Sequence, residues 1–513
     1  MSLIKSTATI GGYTMISRVL GFIRDVLIAS SIGASALSDA FFVAFKLPNF
    51  LRRLFAEGAF SAAFVPLYSG MLAVDGKEKA NRFASEAMSF LLMVVLVVSG
   101  ILIAIMPWFM HILAPGFADN PDKFELTIAL TRITMPYIIF ISLVSLLGGM
   151  LNSSGKFAAM ASMPIILNLC LIFIPLMAEG VTPTGAHSLA YAVTIAGVLQ
   201  WLWMVYFCKR NGLLPHFVRP RLTPEVKKLL LLIAPVALGA GVAQINLVID
   251  MIIASQFDSG VSYLYYADRI NGLPLSVIGV ALGTALLPML SKQIREGHTE
   301  KAHQSQNRAI EFGMFLSIPA AAALMVIAHP VIATMFERGE FSATDTDATA
   351  RALIAFSIGL PAFILVKILG PGFYANQDTK TPFKIATLCV VVNVLLSLAL
   401  MGILRHVGMA LATSITGWLN VVLMLTILQK RGWLNVTVEC RKRLLRIIPP
   451  TLVMVVVLAM GRESLMSYMQ SAEFARFSAL IVCVMAGSAC YFAVSIMCNT
   501  MDIRTRLMNR NKT

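Results

Sequence analysis

Charge is scarce in this sequence. Only 13% of its 513 residues are Asp, Glu, Lys or Arg, while 58% are hydrophobic. A soluble domain carries about 25% charged and 45–50% apolar residues, so a soluble globular chain is excluded. Cysteine is sparse too, with seven residues and no Cys-x-x-Cys pair. That excludes a disulfide scaffold, and the cysteines read as small core hydrophobes. The seven histidines lack metal-ligand spacing, and there is no His-Glu-x-x-His. There is no Walker loop either: Gly155-Lys156 is followed by Phe157 and lacks the upstream glycine. The sequence therefore reads as a non-enzyme, and any transport runs on gradients, membrane potential or substrate pull. A cleavable leader is not expected, because Arg18 and Arg24 interrupt the first apolar stretch.

What is present is apolar chain in lengths that suit a bilayer, which needs about 20 residues per crossing. Fourteen segments qualify: 8–31, 37–68, 83–107, 127–151, 158–178, 188–208, 228–255, 262–290, 309–330, 350–374, 384–402, 408–429, 446–461 and 476–499. The first, second and eighth are weak on hydropathy, because charges interrupt them. With the N-terminus inside, 26 Lys and Arg fall in the inside connections and about six in or beside the outside ones. That asymmetry predicts a multi-pass protein of the cytoplasmic membrane with both termini cytoplasmic. It also accounts for the net charge of +15 without nucleic acid as a partner.

The chain repeats itself. Asp25-Val-Leu-Ile-Ala-Ser30 returns as Asp250-Met-Ile-Ile-Ala-Ser255, and Pro136 and Asn168 return as Pro361 and Asn393, all 225 residues later. Phe64-Val-Pro66 returns as Leu286-Leu-Pro288, and Gly197 as Gly417. The period covers six spans, an even number, so the two copies have parallel topology about an axis along the membrane normal. The expected fold is all-α and polytopic, with fourteen transmembrane helices in two six-helix repeats, two extra C-terminal helices and a central cationic cavity. Its parts are an N-lobe (1–210), a cytoplasmic linker (211–228), a C-lobe (229–430) and a final pair with the tail (431–513).

Charges inside spans are costly, about 2.5–3.5 kcal/mol each on insertion scales, and they face cavities or partners. Spans 1 and 2 hold Arg18, Arg24, Asp25, Asp39, Lys46, Arg52, Arg53 and Glu57. Later spans hold Asp250, Asp268, Arg269 and Lys367. Internal ion pairs such as Asp25 with Arg18, seven residues apart on one helix face, or Glu57 with Arg53, absorb some of them. Seven cations against five anions leave an excess of positive charge. Arginine suits phosphate because its planar fork donates two parallel hydrogen bonds and stays protonated. Pro48, which interrupts the second span, and Gly370-Pro371-Gly372 are hinge candidates, while Gly279 and Gly283 suit close helix packing.

Ser17-Arg-Val-Leu-Gly-Phe-Ile-Arg-Asp25, Asp39-Ala-Phe-Phe-Val-Ala-Phe-Lys-Leu-Pro-Asn49 and Arg52-Arg-Leu-Phe-Ala-Glu-Gly-Ala-Phe60 resemble the MurJ (MviN) family of the MOP exporter superfamily. Tyr265-Tyr-Ala-Asp-Arg269, Gly279-Val-Ala-Leu-Gly-Thr284 and Ala375-Asn-Gln-Asp-Thr-Lys-Thr-Pro382 extend the likeness along the chain. The resemblance implies a lipid II flippase of the bacterial inner membrane. Such a protein turns an undecaprenyl-diphosphate-linked disaccharide-pentapeptide outward for peptidoglycan and cell-wall biogenesis. It implies substrate-binding roles for Arg18, Arg24, Asp39, Arg52 and Arg269, and a lipid-tail groove on spans 13 and 14. Lipid II, membrane lipids and other cell-wall synthesis proteins are the partners it points to. It also implies a sodium ion at Asp250 with Asn393, for which an ion pair or a proton on Asp250 are the alternatives. A flippase for another polyprenyl-diphosphate sugar is the second reading. A drug antiporter would need carboxylates in the cavity. A glycosyltransferase using lipid II would need a carboxylate in a large outer loop, and 107–126 and 331–349 are short.

Overall fold

The computed structural model describes residues 3–52, 60–468 and 473–500. Among them there is no strand, and eleven helices are long and apolar enough to cross a membrane. Each of the fourteen apolar segments is largely helical over its described residues. Those at 8–31, 37–68 and 228–255 are not among the eleven; the described helices of 37–68, Ala36–Leu51 and Phe60–Val74, have only 16 and 15 residues. The eighth, weak on sequence, does qualify as Gly260–Arg295.

The chain divides into two compact units, Met1–Ser262 and Tyr263–Thr513. The first holds α1 (Leu3–Ile32), α2 (Ala36–Leu51), α3 (Phe60–Val74), α4 (Lys77–Ala104), α5 (Met106–Leu113), α6 (Pro121–Thr134) and α7 (Tyr137–Ser153). It continues through α8 (Ala158–Ala161), α9 (Met163–Met177), α10 (Gly185–Arg210) and α11 (Pro224–Ala254), and closes within α12 (Gly260–Pro274). The second holds the rest of α12, then α13 (Val280–Arg295), α14 (Thr299–Val326), α15 (Ala328–Phe336) and α16 (Ala343–Ala375). After these come α17 (Lys380–Leu404), α18 (His406–Lys430), α19 (Val438–Leu445), α20 (Ile448–Tyr468) and α21 (Glu473–Met497).

The polarity of the fold suits lipid. Val94, Leu96, Val97 and Ile101 of α4 are exposed, while Thr127, Thr131, Thr134, Ser317 and Ser357 are buried. Those hydroxyls donate to backbone carbonyls in their own helix or, for Thr134, also to Ala44 O of α2, except that Ser317 turns to the sulfur of Met314. Small hydroxyl residues let helices approach where lipid offers no hydrophobic drive.

The same kinds of contact recur within each unit, at the spacing of the sequence repeat. In the first, α10 packs on α7, and Thr194 Oγ1 donates to Ile133 O. In the second, α18 packs on α16, and Ser414 Oγ donates to Ala355 O. Gly197 lies against Tyr137 and Phe140, and Gly417 against Phe363 and Ala362. The Asn120 side chain caps α6 at Lys123 N, and that of Ser342 caps α16 at Asp345 N. The final pair, α20 and α21, docks on α14, where Tyr491 Oη donates to Phe315 O at 2.6 Å.

Residues 213–223, within the stretch read as a linker, run extended along α4. His216 N donates to Ser85 Oγ at 3.0 Å and Val218 N to Ser89 Oγ at 2.9 Å. Two extended residues advance about 6.6 Å and four helical ones about 6.0 Å, so alternate amides match serines one turn apart.

Candidate functional site

Arg24 lies on α1 with 6% of its surface exposed, a depth at which guanidinium needs partners. Nε and Nη2 donate to Asp25 Oδ1 at 3.0 and 2.7 Å, and Nη1 donates to Asn168 Oδ1 at 2.9 Å. Asn168 Nδ2 in turn donates to Ser17 O at 2.9 Å, tying α9 back to α1. The acid that the sequence offered to Arg18 thus receives two hydrogen bonds from its own neighbour. Asn168 stood out in the sequence only as a repeat marker; its contact with Arg24 spans 144 residues and leaves no local signature.

Asp39, in the first turn of α2, is fully buried. Lys123 Nζ of α6 donates to Oδ2 at 2.7 Å. Ser262 donates to Oδ1 from its amide at 2.9 Å and its hydroxyl at 2.6 Å. Lys123 also sits over the Phe117 ring, 3.9 Å from its centroid. Asp39 is therefore closed off from solvent in this conformation, and it clamps α2, α6 and the start of α12. The sequence counted Lys123 as an outer-loop charge and missed this pair. In the second unit the Tyr263 hydroxyl donates to Asp345 Oδ1 at 3.0 Å.

The other charges are more open. Arg18, Asp268, Arg269 and Lys367 are exposed, and Lys46 and Arg52 are half-buried. Arg269 Nη2 donates to Tyr265 Oη at 2.8 Å, and its guanidinium lies over the same ring, 4.8 Å from the centroid. Arg52 Nε donates to Asn49 Oδ1 at 3.1 Å. Arg53 and Glu57 lie outside the described residues.

Asp250, on α11 in the first unit, accepts from Asn246 Nδ2 at 3.1 Å. Asn393, buried on α17, belongs to the second. Among the described residues no group of three or more His, Cys, Asp or Glu could hold a metal ion. Pro48 lies inside α2, which continues to Leu51. Gly370, Pro371 and Gly372 are buried within a continuous α16, where a Cβ on Gly372 would come 2.6 Å from Gln306 Nε2. Gly283 packs so closely on α16 that a Cβ would lie 2.9 Å from Lys367 O.

Apolar helices long enough to cross a membrane, with charges held among them, define a polytopic membrane protein with a transporter's fold. An inward-facing multidrug resistance MATE family transporter of the MOP superfamily shares the fold at TM-score 0.67 and 16% identity, over 81% of this chain and 95% of the other. The chain belongs to the lipid II flippase MurJ family, whose model matches residues 28–480. A probable lipid II flippase MurJ of Rhizobium tropici is 45% identical over 427 residues, 82% of this chain and 80% of that protein. The counterpart from Rhizobium meliloti (strain 1021) is 41% identical over 96% of this chain and 94% of its own. A solved lipid II flippase MurJ in an inward closed conformation superposes at TM-score 0.81 and 27% identity, covering 96% of this chain and 98% of that one.

Proposed function

We propose that this protein flips lipid II from the cytoplasmic to the outer leaflet of the bacterial inner membrane. The observation that carries the reading is the family match along 28–480, joined to relatives named for this activity over nearly the full chain. The reading comprises fourteen spans, two six-span halves, an added pair and cytoplasmic termini. Recurrence of the same helix contacts 220 to 225 residues apart supports the halves. In this account Arg18, Arg52 and Arg269 meet the diphosphate, and Arg24 is oriented for it by Asp25 and Asn168. Alternating access works by exchanging which end of the cavity is sealed, with Pro48 and Gly370-Pro371-Gly372 as bending points. The test is depletion in the native bacterium. Lipid II should keep being made while ceasing to reach the outer leaflet; unchanged outward exposure would refute the assignment.

Sodium at Asp250 and Asn393 is part of the proposal. A hard cation takes oxygen ligands, and both side chains can supply one. Transport by the purified, reconstituted protein should rise with sodium against potassium at fixed ionic strength, and Asp250→Asn should abolish the rise. A response unchanged in the variant would remove Asp250 from the site.

A further inference from the structure

Arg269 lies on α12 beside a tyrosine that holds it in two ways. Its Nη2 donates to Tyr265 Oη at 2.8 Å, and its guanidinium lies over the same ring, 4.8 Å from the centroid. Residues four apart on a helix are neighbours on one face, so the pair is built into α12. One contact is to the hydroxyl and the other to the π-face. Together they set both the position and the plane of the guanidinium.

The ring that does this is itself held. Tyr265 is half-buried, and Tyr266 meets it edge to face, with centroids 5.6 Å apart and planes at 81°. Tyr266 is fully buried, its ring 5.0 Å from that of Phe336 and 5.4 Å from that of Phe341. Such tilted and edge-on pairs are the favoured aromatic geometries. A packed aromatic cluster in the second unit thus carries Tyr265, and Tyr265 carries an exposed arginine.

The repeat offers a comparison inside the chain. Ala44-Phe-Lys46 returns as Ala267-Asp-Arg269, which aligns Phe42 with Tyr265 and Lys46 with Arg269. The first unit has a ring without a hydroxyl and an ammonium, a point charge with no plane to set. The hydroxyl occurs where the cation is planar. A two-pronged grip on phosphate needs that plane turned toward the anion. A long side chain that orders only on binding loses rotamer freedom at that moment, whereas one held in advance has already lost it.

We propose that Tyr265 is a positioning residue for lipid II, acting through Arg269 by setting the plane of its guanidinium for the diphosphate. The proposal rests on the assignment of Arg269 to the diphosphate, and Tyr265 itself does not touch the lipid.

The experiment is binding of lipid II to the purified full-length protein in nanodiscs, run as a double-mutant cycle, with undecaprenyl diphosphate and undecaprenyl monophosphate as competitors. Tyr265→Phe keeps the ring and should weaken binding about threefold, and Tyr265→Leu removes both contacts and should weaken it about tenfold. In an Arg269→Ala background neither should add more than about twofold, because the residue they act through is gone. Tyr265→Leu should also narrow the preference for diphosphate over monophosphate, a ratio that a smaller folded fraction leaves unchanged. If Tyr265→Leu fails to fold, Tyr265→Phe carries the same comparisons. Equal weakening with and without Arg269 would show that the tyrosine acts on its own and overturn the proposal, as would full-strength binding by the Tyr265 variants. Unchanged binding by Arg269→Ala would overturn the diphosphate assignment itself, and the proposal with it.

Discussion

Asp39 and Lys123 show what burial does to a charge. A carboxylate and an ammonium in the interior repay their lost hydration only when every acceptor and donor is used, and Ser262 supplies what Lys123 leaves open. Removing one partner strands the other. Lys123→Ala should therefore cost about 3–5 kcal/mol, whereas Asp39→Leu with Lys123→Met should recover much of that loss. A double-mutant cycle on unfolding in detergent checks this, and additive losses would mean the two side chains act independently. None of it was legible beforehand, because the partners lie 84 residues apart and Lys123 sits in a polar stretch that hydropathy assigns to a loop. Arg24 was legible as a candidate, from its charge inside an apolar span and from the motif that carries the resemblance. Its partner Asn168 was not, since a distant amide has no sequence signature.

At the scale of helices, composition did most of the work. The apolar segments coincide with helices because a bilayer demands length and hydropathy together. Packing detail was partly readable. Gly279 and Gly283 were expected at a close approach, and α13 does press Gly283 against the backbone of α16. Gly283→Val should destabilise by about 1–3 kcal/mol, the usual cost of overpacking. Gly272→Ala, with open space around it, should be neutral or slightly stabilising; equal losses at both sites would refute close packing as the reason for Gly283. The extended course of 213–223 along α4 could not be foreseen, because Ser85 and Ser89 look like ordinary helix serines.

The loop between α16 and α17 is held by charge. Hydrogen bonds from the side chain and amide of Thr381, with Arg431 beside them, hold the Asp378 carboxyl down at about 2. A depressed folded value means the stabilisation is complete above the ordinary carboxylate range and is lost as pH falls toward 2. Melting temperature should thus fall more steeply between about pH 4 and pH 2 in wild type than in Asp378→Asn. Parallel profiles would mean Asp378 contributes nothing to the fold.

For the whole molecule, the account rests on positive charge in the membrane being matched to a diphosphate. Alanine at Arg24 is a poor test, since it strands Asp25 and Asn168 and confuses folding with function. Arg18 and Arg269 are themselves exposed, unlike Arg24. The decisive measurement is the movement of fluorescent lipid II across proteoliposomes containing the purified full-length chain, read by quenching of the accessible leaflet. Wild type should exchange the lipid between leaflets, Arg18→Ala and Arg269→Ala should fall to the rate of empty vesicles, and Arg269→Lys should lie between. Wild-type exchange no faster than in empty vesicles, or full exchange by both alanine variants, would contradict the account.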